Sequence, residues 1–341
     1  MRDFFAFQWH ITDECDQRCK HCYIFNNEHT TNLTTTSIND LEDIFNNCIN
    51  MCNIVNREPF FYVTGGDPLL HPDFWKLINL FKENNIKFGI MGNPFHLTSE
   101  VCEKLKDAGC LAYQLSLDGL RKTHDYFRMP GSYDTTLDKI KVLKDAGMNV
   151  NIMTTVSKVN MDEIPELIDV VVEHGVDTYS FARYCPEGFD EDSHMTPEEY
   201  HQFLEKCWDK YEQYKDSSTN FDLKDHLWTL FLYEKGLFEI PSDLDDDVIY
   251  DGCNCGNSHV TILPNGNVYA CRRMNSLIGN AFEENIVSLF TSRKMDEYRQ
   301  YENFEKCSKC ELLRFYRGCP AVSYGYTGSM YSSDPQCWKK I

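Results

Sequence analysis

Leu105-Lys106-Asp107-Ala108-Gly109 recurs as Leu143-Lys144-Asp145-Ala146-Gly147, and Glu173-His174-Gly175-Val176 has a similar shape. Each echo ends an amphipathic run at a glycine, which can take the left-handed cap conformation, and a short β-rich run follows. The pattern extends through the first two hundred residues. Strands are expected at 4–11, 60–64, 87–91, 112–117, 150–155 and 178–184. Helices are expected at 38–55, 74–84, 99–108, 133–146 and 164–174, with a longer one at 197–214. Strands alternating with helices give a parallel sheet with right-handed crossovers. Six such units predict an α/β fold of the open, incomplete barrel kind. In such folds sites lie at the C-terminal ends of the strands.

Just past the first strand stand Cys15, Cys19 and Cys22, spaced C-x3-C-x2-C. Thiolates select iron–sulfur clusters or zinc. Three thiolates on one loop can hold three irons of a four-iron cube and leave the fourth open to a substrate or cofactor. A zinc loop, or cysteines packed in a core, is the plainer alternative. Strand two ends in Thr64-Gly65-Gly66-Asp67-Pro68, where two glycines let backbone approach a ligand closely and Asp67 can accept from an ammonium group. Strand four ends in Ser116-Leu117-Asp118-Gly119, followed by His124, Asp125 and Arg128. Asp118 shares a face with Ser116 if alternation holds. Arg128 can fork onto a carboxylate. Arg183, at the end of strand six, is expected on the same rim, with Asn93 and Thr154 as further rim residues.

With these residues in these places, the chain resembles the radical S-adenosylmethionine (SAM) family. Its signature is this cysteine spacing with an aromatic or His, here His21, before the third cysteine. The resemblance implies a (β/α)6 partial TIM barrel and a [4Fe-4S] cluster on Cys15, Cys19 and Cys22. It implies that Gly65, Gly66 and Asp67 stand where a Gly-Gly-Glu element binds the SAM amino group, with Asp one methylene shorter than the usual Glu. Ser116 would contact the SAM carboxylate or ribose. Tyr23, directly after the third cysteine, is counted with Asp118, Arg128 and Arg183 among the cofactor-binding candidates.

Residues 215–250 carry polar and acidic runs, including Ser242 to Asp247, and read as loops around a short helix near 226–233. A boundary is expected there, giving a barrel at 1–235 and a second domain at 236–341. From Cys253 the chain changes character. Cys253 and Cys255 precede a hairpin pattern centred on Asn265-Gly266, which returns Cys271 beside them. Cys307, Cys310, Cys319 and Cys337 follow. This field resembles the SPASM extension, which carries auxiliary iron–sulfur clusters. One cysteine of the usual pattern is missing, and Tyr316 stands in its place. The resemblance implies a first auxiliary [4Fe-4S] cluster on Cys253, Cys255, Cys271 and Cys319. A second would have Cys307, Cys310 and Cys337, with Glu311, Asp334, Tyr316, water or substrate as its fourth ligand. An alternative assignment leaves Cys253 out of the first set, whose cluster then has the open iron, and a zinc ribbon is the alternative for the whole field.

The family chemistry so implied is reductive cleavage of SAM to methionine and a 5′-deoxyadenosyl radical, which takes a hydrogen atom from substrate. Relatives with this extension mostly modify peptides and proteins, so ribosomal peptide maturation by crosslinking, epimerisation or oxidation is the favoured expectation. A small molecule or tetrapyrrole is the alternative substrate, and a non-enzymatic iron–sulfur sensor the alternative class. If the enzyme epimerises, Cys185, at the end of strand six, is the expected hydrogen donor. A reducing partner such as flavodoxin or ferredoxin is expected. The chain starts directly at strand one, so neither a signal peptide nor a leader-binding domain is expected ahead of it. Sixteen cysteines in 341 residues without a secretion signal argue for metal ligands rather than disulfides, and for the cytoplasm. A formal charge of −20 argues against nucleic acid, and no apolar run is long enough for a membrane span.

Overall fold

The computed structural model describes residues 4–25, 33–187, 193–245 and 248–341. Six parallel strands follow in sequence order: β1 (Phe4–His10), β2 (Glu58–Thr64), β3 (Phe88–Met91), β4 (Cys110–Ser116), β5 (Asn149–Val156) and β6 (Thr178–Arg183). They are the six expected strands of the partial barrel, with helices between them. Thr196 and Glu199 form a reciprocal capping box at the start of helix Pro197–Gln213. Gly109 and Gly147 end their helices at φ 96° and 69°, as the repeated motif requires.

The sheet does not stop at six strands. β7 (Asn220–Asp222) pairs parallel to β6, and β8 (His259–Ile262) pairs parallel to β1. β9 (Asn267–Tyr269) and β10 (Leu277–Asn280) extend that edge antiparallel, so one ten-stranded sheet runs from β10 to β7. The hairpin was expected, but not its addition to the barrel's own first strand. A hairpin's pattern fixes its turn and says nothing of which edge it joins. β7 lies where a linker was expected, because three residues are too few to set up a readable alternation. Helix Arg121–Phe127 was also unanticipated: among its residues only His124 is buried, so it has no apolar stripe. Asp246 and Asp247 of the acidic run lie outside the described residues. Ser242, Asp243 and Asp245 are exposed. No helix among the described residues is long and apolar enough to cross a membrane.

Alternation along β1 sorts the two faces of the barrel. Phe5, Phe7 and Trp9 are fully buried and point outward under the helices, where Phe7 stacks on Phe61 at 5.1 Å and Phe61 on Phe81 at 5.0 Å. Ala6, Gln8 and His10 take the opposite face, toward the lumen. Register carries that face across the sheet: Gln8 pairs with Tyr62 and Thr261, and Ser116 with Met153, then Ser180, then Asp222.

Candidate active site

The loop carrying Cys15, Cys19 and Cys22 leaves the C-terminal end of β1, and all three thiols are half-buried. Each sulfur faces a donor. Cys15 Sγ accepts from the Gln17 amide at 3.4 Å and from Asn93 Nδ2 at 3.3 Å. Cys19 Sγ accepts from Arg128 Nη1 at 3.8 Å, and Cys22 Sγ from the Ile24 amide at 3.4 Å. Donors aimed at sulfur stabilise thiolates and tune the potential of a cluster they hold. Burial pushes the Cys15 thiol up to about 11, against the hydrogen bonds from Gln17 and Asn93.

A hydrogen-bonded circuit fastens this loop to the barrel. Gln17 Nε2 donates to Ser132 Oγ at 3.1 Å, and Ser132 Oγ meets His124 Nε2 at 3.1 Å. His124 Nδ1 accepts from the Asp118 amide at 3.2 Å, which assigns the remaining ring proton to Nε2. Asp118 Oδ2 accepts from Arg128 Nε at 2.7 Å, and Arg128 returns to Cys19. Asp118 also receives the Thr155 amide at 3.0 Å and lies 3.5 Å from His21 Nε2. Burial alone would raise its pKa, but Arg128, His21 and that amide outweigh it and hold it at about 2. Both residues were expected to face a ligand. Here Arg128 gives Nε to Asp118 and Nη1 to Cys19, and the pair positions Cys19 and His21. Gln17, His124 and Ser132 had no assigned role, since a motif's spacer residues and an isolated serine carry no signal of what they bind.

The two glycines serve a different close approach from the one expected. The backbone they meet is the cysteine loop: the Gly66 amide donates to Thr12 O at 2.8 Å and the Asp67 amide to Glu14 O at 2.7 Å. A Cβ on Gly65 or Gly66 would lie 2.2 Å from one of those carbonyl oxygens. Asp67 is fully buried. Its Oδ1 accepts from the Leu69 amide at 3.2 Å, while Oδ2 is buried without a partner. Burial raises Asp67 to about 6. A buried carboxylate oxygen with no donor is costly unless a cation or donor arrives. The SAM ammonium is such a group, so the residues present fit it.

The second cysteine field gathers in two groups. Cys253, Cys255, Cys271 and Cys319 lie together, with His226 against Cys253 and Arg273 Nη2 3.6 Å from Cys319 Sγ. Cys307, Cys310 and Cys337 form the other, with Lys306 Nζ 3.5 Å from Cys337 Sγ. Soft donors in sets of four and three, separate from the first three, suit iron–sulfur clusters.

Residues 9–171 match the radical SAM superfamily, and residues 253–311 match SPASM, an iron–sulfur cluster-binding domain. This chain is a radical SAM enzyme with a SPASM extension. Its cofactors are accordingly SAM, the radical SAM [4Fe-4S] cluster and auxiliary clusters. The AdoMet-dependent heme synthase of Methanosarcina barkeri is 27% identical over 96% of this chain and 95% of its own. Mycofactocin maturase MftC of Mycolicibacterium smegmatis is 25% identical over 96% and 81%. Among solved structures, SuiB of Streptococcus suis bound to S-adenosylmethionine has a TM-score of 0.75 at 20% identity, over 99% of this chain and 78% of that one. anSMEcpe with bound AdoMet has a TM-score of 0.75 at 17% identity, over 97% and 93%. These two share the fold.

Several candidates of this radical SAM enzyme take other places than expected. Arg183 is not a rim cation. It is fully buried, with Nε on Asp225 at 3.0 Å and a fork on Asp334 at 2.6 and 2.9 Å. It locks the end of β6 to the C-terminal segment. Asp334 is thereby committed, since it also accepts from the Cys319 amide at 2.9 Å. Glu311 lies at the surface and pairs with Lys339 at 3.0 Å. Of the three side chains considered as a fourth ligand to the second auxiliary group, this leaves Tyr316. Its hydroxyl is buried beside Cys337 without a well-formed hydrogen bond. The Cys185 thiol donates to Arg183 O at 3.9 Å, a carbonyl that also accepts from Arg273 Nη1 at 3.2 Å.

The lumen has its own chemistry. Tyr23 and Tyr62 are 36% and 39% exposed, and Lys224 is exposed too. Yet burial pushes both phenols up and the Lys224 ammonium down. Tyr62 pairs with Gln8 on the lumen face, and Lys224 lies near enough to His259, in register with Ala6 on the same face, to join burial in lowering its pKa. Arg272 lies over the Tyr23 ring at 4.6 Å and donates to Tyr23 O at 3.3 Å, while its Nε is buried without a partner. His10 Nδ1 is likewise buried and unpartnered. Asp222 offsets Lys224 only in part.

Proposed function

We propose that this enzyme cleaves SAM reductively and takes a hydrogen atom from a carboxylate-bearing substrate held in the barrel lumen. Cys15, Cys19 and Cys22 would hold the cluster, which supplies the electron for cleavage of SAM to methionine and a 5′-deoxyadenosyl radical. Asp67 Oδ2, buried without a partner, would accept from the SAM ammonium. Asp118, Arg128 and His21 hold the loop whose three cysteines would bind the cluster. Ser116, on the lumen face of β4, borders the same cavity, and Tyr23 walls it beside the loop. The walls exclude water from a radical that would otherwise react with whatever was nearest.

The observation that carries the substrate class is the cationic wall in a chain of net charge −20. Arg272 Nε is buried without a partner and Lys224 is offset only in part by Asp222, and a buried cation is costly without an anion. A carboxylate supplies it. Likeness to the heme synthase over nearly the whole of both chains favours a tetrapyrrole carboxylate. A peptide is the second reading, favoured by the likeness to MftC, also across most of both chains. The test is anaerobic turnover with Fe-coproporphyrin III, a tetracarboxylate, against synthetic peptides. The proposal expects porphyrin-stimulated 5′-deoxyadenosine, with Lys224→Ala and Arg272→Ala each raising the porphyrin concentration needed. Stimulation by peptides alone, unaffected by either substitution, would overturn it.

A further inference from the structure

Asp16 directly follows Cys15, and Asn93 and His96 lie in the segment between β3 and helix Ser99–Asp107. Asn93 Nδ2 donates to Asp16 Oδ1 at 2.8 Å as well as to Cys15 Sγ, and His96 Nε2 donates to Asp16 Oδ2 at 2.9 Å. A carboxylate can only accept, which assigns a proton to His96 Nε2. Asn93 is held in turn, since its carbonyl oxygen accepts from the hydroxyl of the fully buried Tyr113 at 3.1 Å. Asp16 is thus fixed from two sides, and it is fixed beside Asp67. One carboxylate oxygen from each of the two residues and a ring nitrogen of His96 all lie within 4.8 Å of one another. The backbone sets that spacing, because the Asp67 amide donates to Glu14 O, two residues before Asp16, at 2.7 Å. Gly92 admits the approach from the end of β3: a Cβ there would lie 3.1 Å from Asp67 Oδ1 and against the Tyr113 hydroxyl.

Two carboxylates this close repel each other unless a cation joins them. Among the described residues none donates to the buried Asp67 Oδ2, and the His96 proton is taken by Asp16. An ammonium group brings three N–H donors. Asp67 offers it one unfilled oxygen, since Oδ1 already holds the Leu69 amide. We propose that Asp16 is a second acceptor for the SAM ammonium, which it and Asp67 hold between them, and that Asn93 and His96 are positioning residues that aim Asp16. The inference rests on the reading that places the ammonium at Asp67. One loop then carries both the three cluster thiolates and a contact to the amine, so the two are set in register. Charge-assisted hydrogen bonds from one ammonium to two carboxylates fix its direction as well as its place.

The test uses the full chain, reconstituted anaerobically with iron and sulfide, as wild type, D16N, D67N, D16N/D67N and H96A, with iron counted in each. Equilibrium dialysis measures the affinity for S-adenosylhomocysteine, which has no sulfonium to cleave, and for its analogue lacking the α-amino group. Wild type should prefer the amine-bearing ligand. D16N should weaken S-adenosylhomocysteine about tenfold, the lower end for a charged hydrogen bond because the Asp16 side chain is 33% exposed, and leave the analogue within about twofold. H96A should lose part of the same preference, and D16N/D67N all of it. A D16N variant that keeps its iron and its preference would overturn the proposal, and so would one that loses both ligands alike. If D16N loses iron, an H96A variant with the full preference overturns it. D67N checks the reading beneath: a D67N protein that keeps the preference would show the ammonium to lie elsewhere, whereas D16N alone keeping it removes only the part given to Asp16.

Discussion

Replacing Arg183 with Met separates a structural lock from a ligand contact. Arg183 is 1% exposed, and Asp225 and Asp334 are 4% exposed each. Met fills much of the space but supplies no donor. Asp225 keeps the Leu227 amide at 3.1 Å, and Asp334 keeps the Cys319 amide at 2.9 Å and the Gln336 amide at 3.1 Å. Neither carboxylate is left bare, but both lose their counter-charge while buried. Removing one partner of a buried pair costs roughly 3–5 kcal/mol. At about 2 °C per kcal/mol for a chain of this size, the apparent melting temperature should fall by roughly 6–10 °C. The assay is anaerobic thermal unfolding of the holoenzyme at fixed scan rate, with SAM affinity measured well below the transition. Arg183→Lys should lose most of the same stability, because an ammonium cannot fork onto Asp334 while holding Asp225. SAM affinity should stay near wild type in both variants. An unchanged melting temperature with weakened SAM binding would refute this reasoning and return Arg183 to the rim.

Asp67→Asn should weaken SAM binding roughly tenfold to a hundredfold, the worth of a charged hydrogen bond. Its pH dependence has a defined sign. The wild-type carboxyl titrates at about 6 because burial raises it. It is ionised above that pH, so SAM affinity should hold there and fall about tenfold per unit below. Asp67→Asn should flatten that slope, and an equal slope in both proteins would contradict the role of Oδ2. Gly66→Ala drives a Cβ into Glu14 O at 2.2 Å, with Asp13 O at 2.7 Å, so no side chain can yield. Iron counting should find about four irons lost while the auxiliary iron stays. Full iron retention would show that the loop can shift.

The six barrel strands were legible because apolar runs between glycine-capped helices are a local signal, repeated. The first cysteine loop stood out by its spacing, and the grouping of the later cysteines came from the family resemblance. What stayed hidden is long-range. Nothing in His259–Ile262 names β1 as its neighbour, and nothing near Arg183 names Asp334, 151 residues on. Asp118 and Arg128 were each expected to face a ligand because polar residues at a strand end resemble a ligand site whether they bind a ligand or each other. Cys185 was read from strand position, and only the fold brings Arg273 onto the Arg183 carbonyl that its thiol also meets. The one unpartnered oxygen of Asp67 is visible only when every neighbouring donor has been placed.

The measurement that tests the central claim most directly is SAM cleavage beside an iron count. Wild type and the Cys15/Cys19/Cys22→Ala triple variant are reconstituted anaerobically, reduced and given SAM, and 5′-deoxyadenosine is assayed. The account predicts 5′-deoxyadenosine from wild type only, with the triple variant lacking about four irons and keeping its auxiliary iron. Equal iron in both proteins, or 5′-deoxyadenosine from the triple variant, would contradict it.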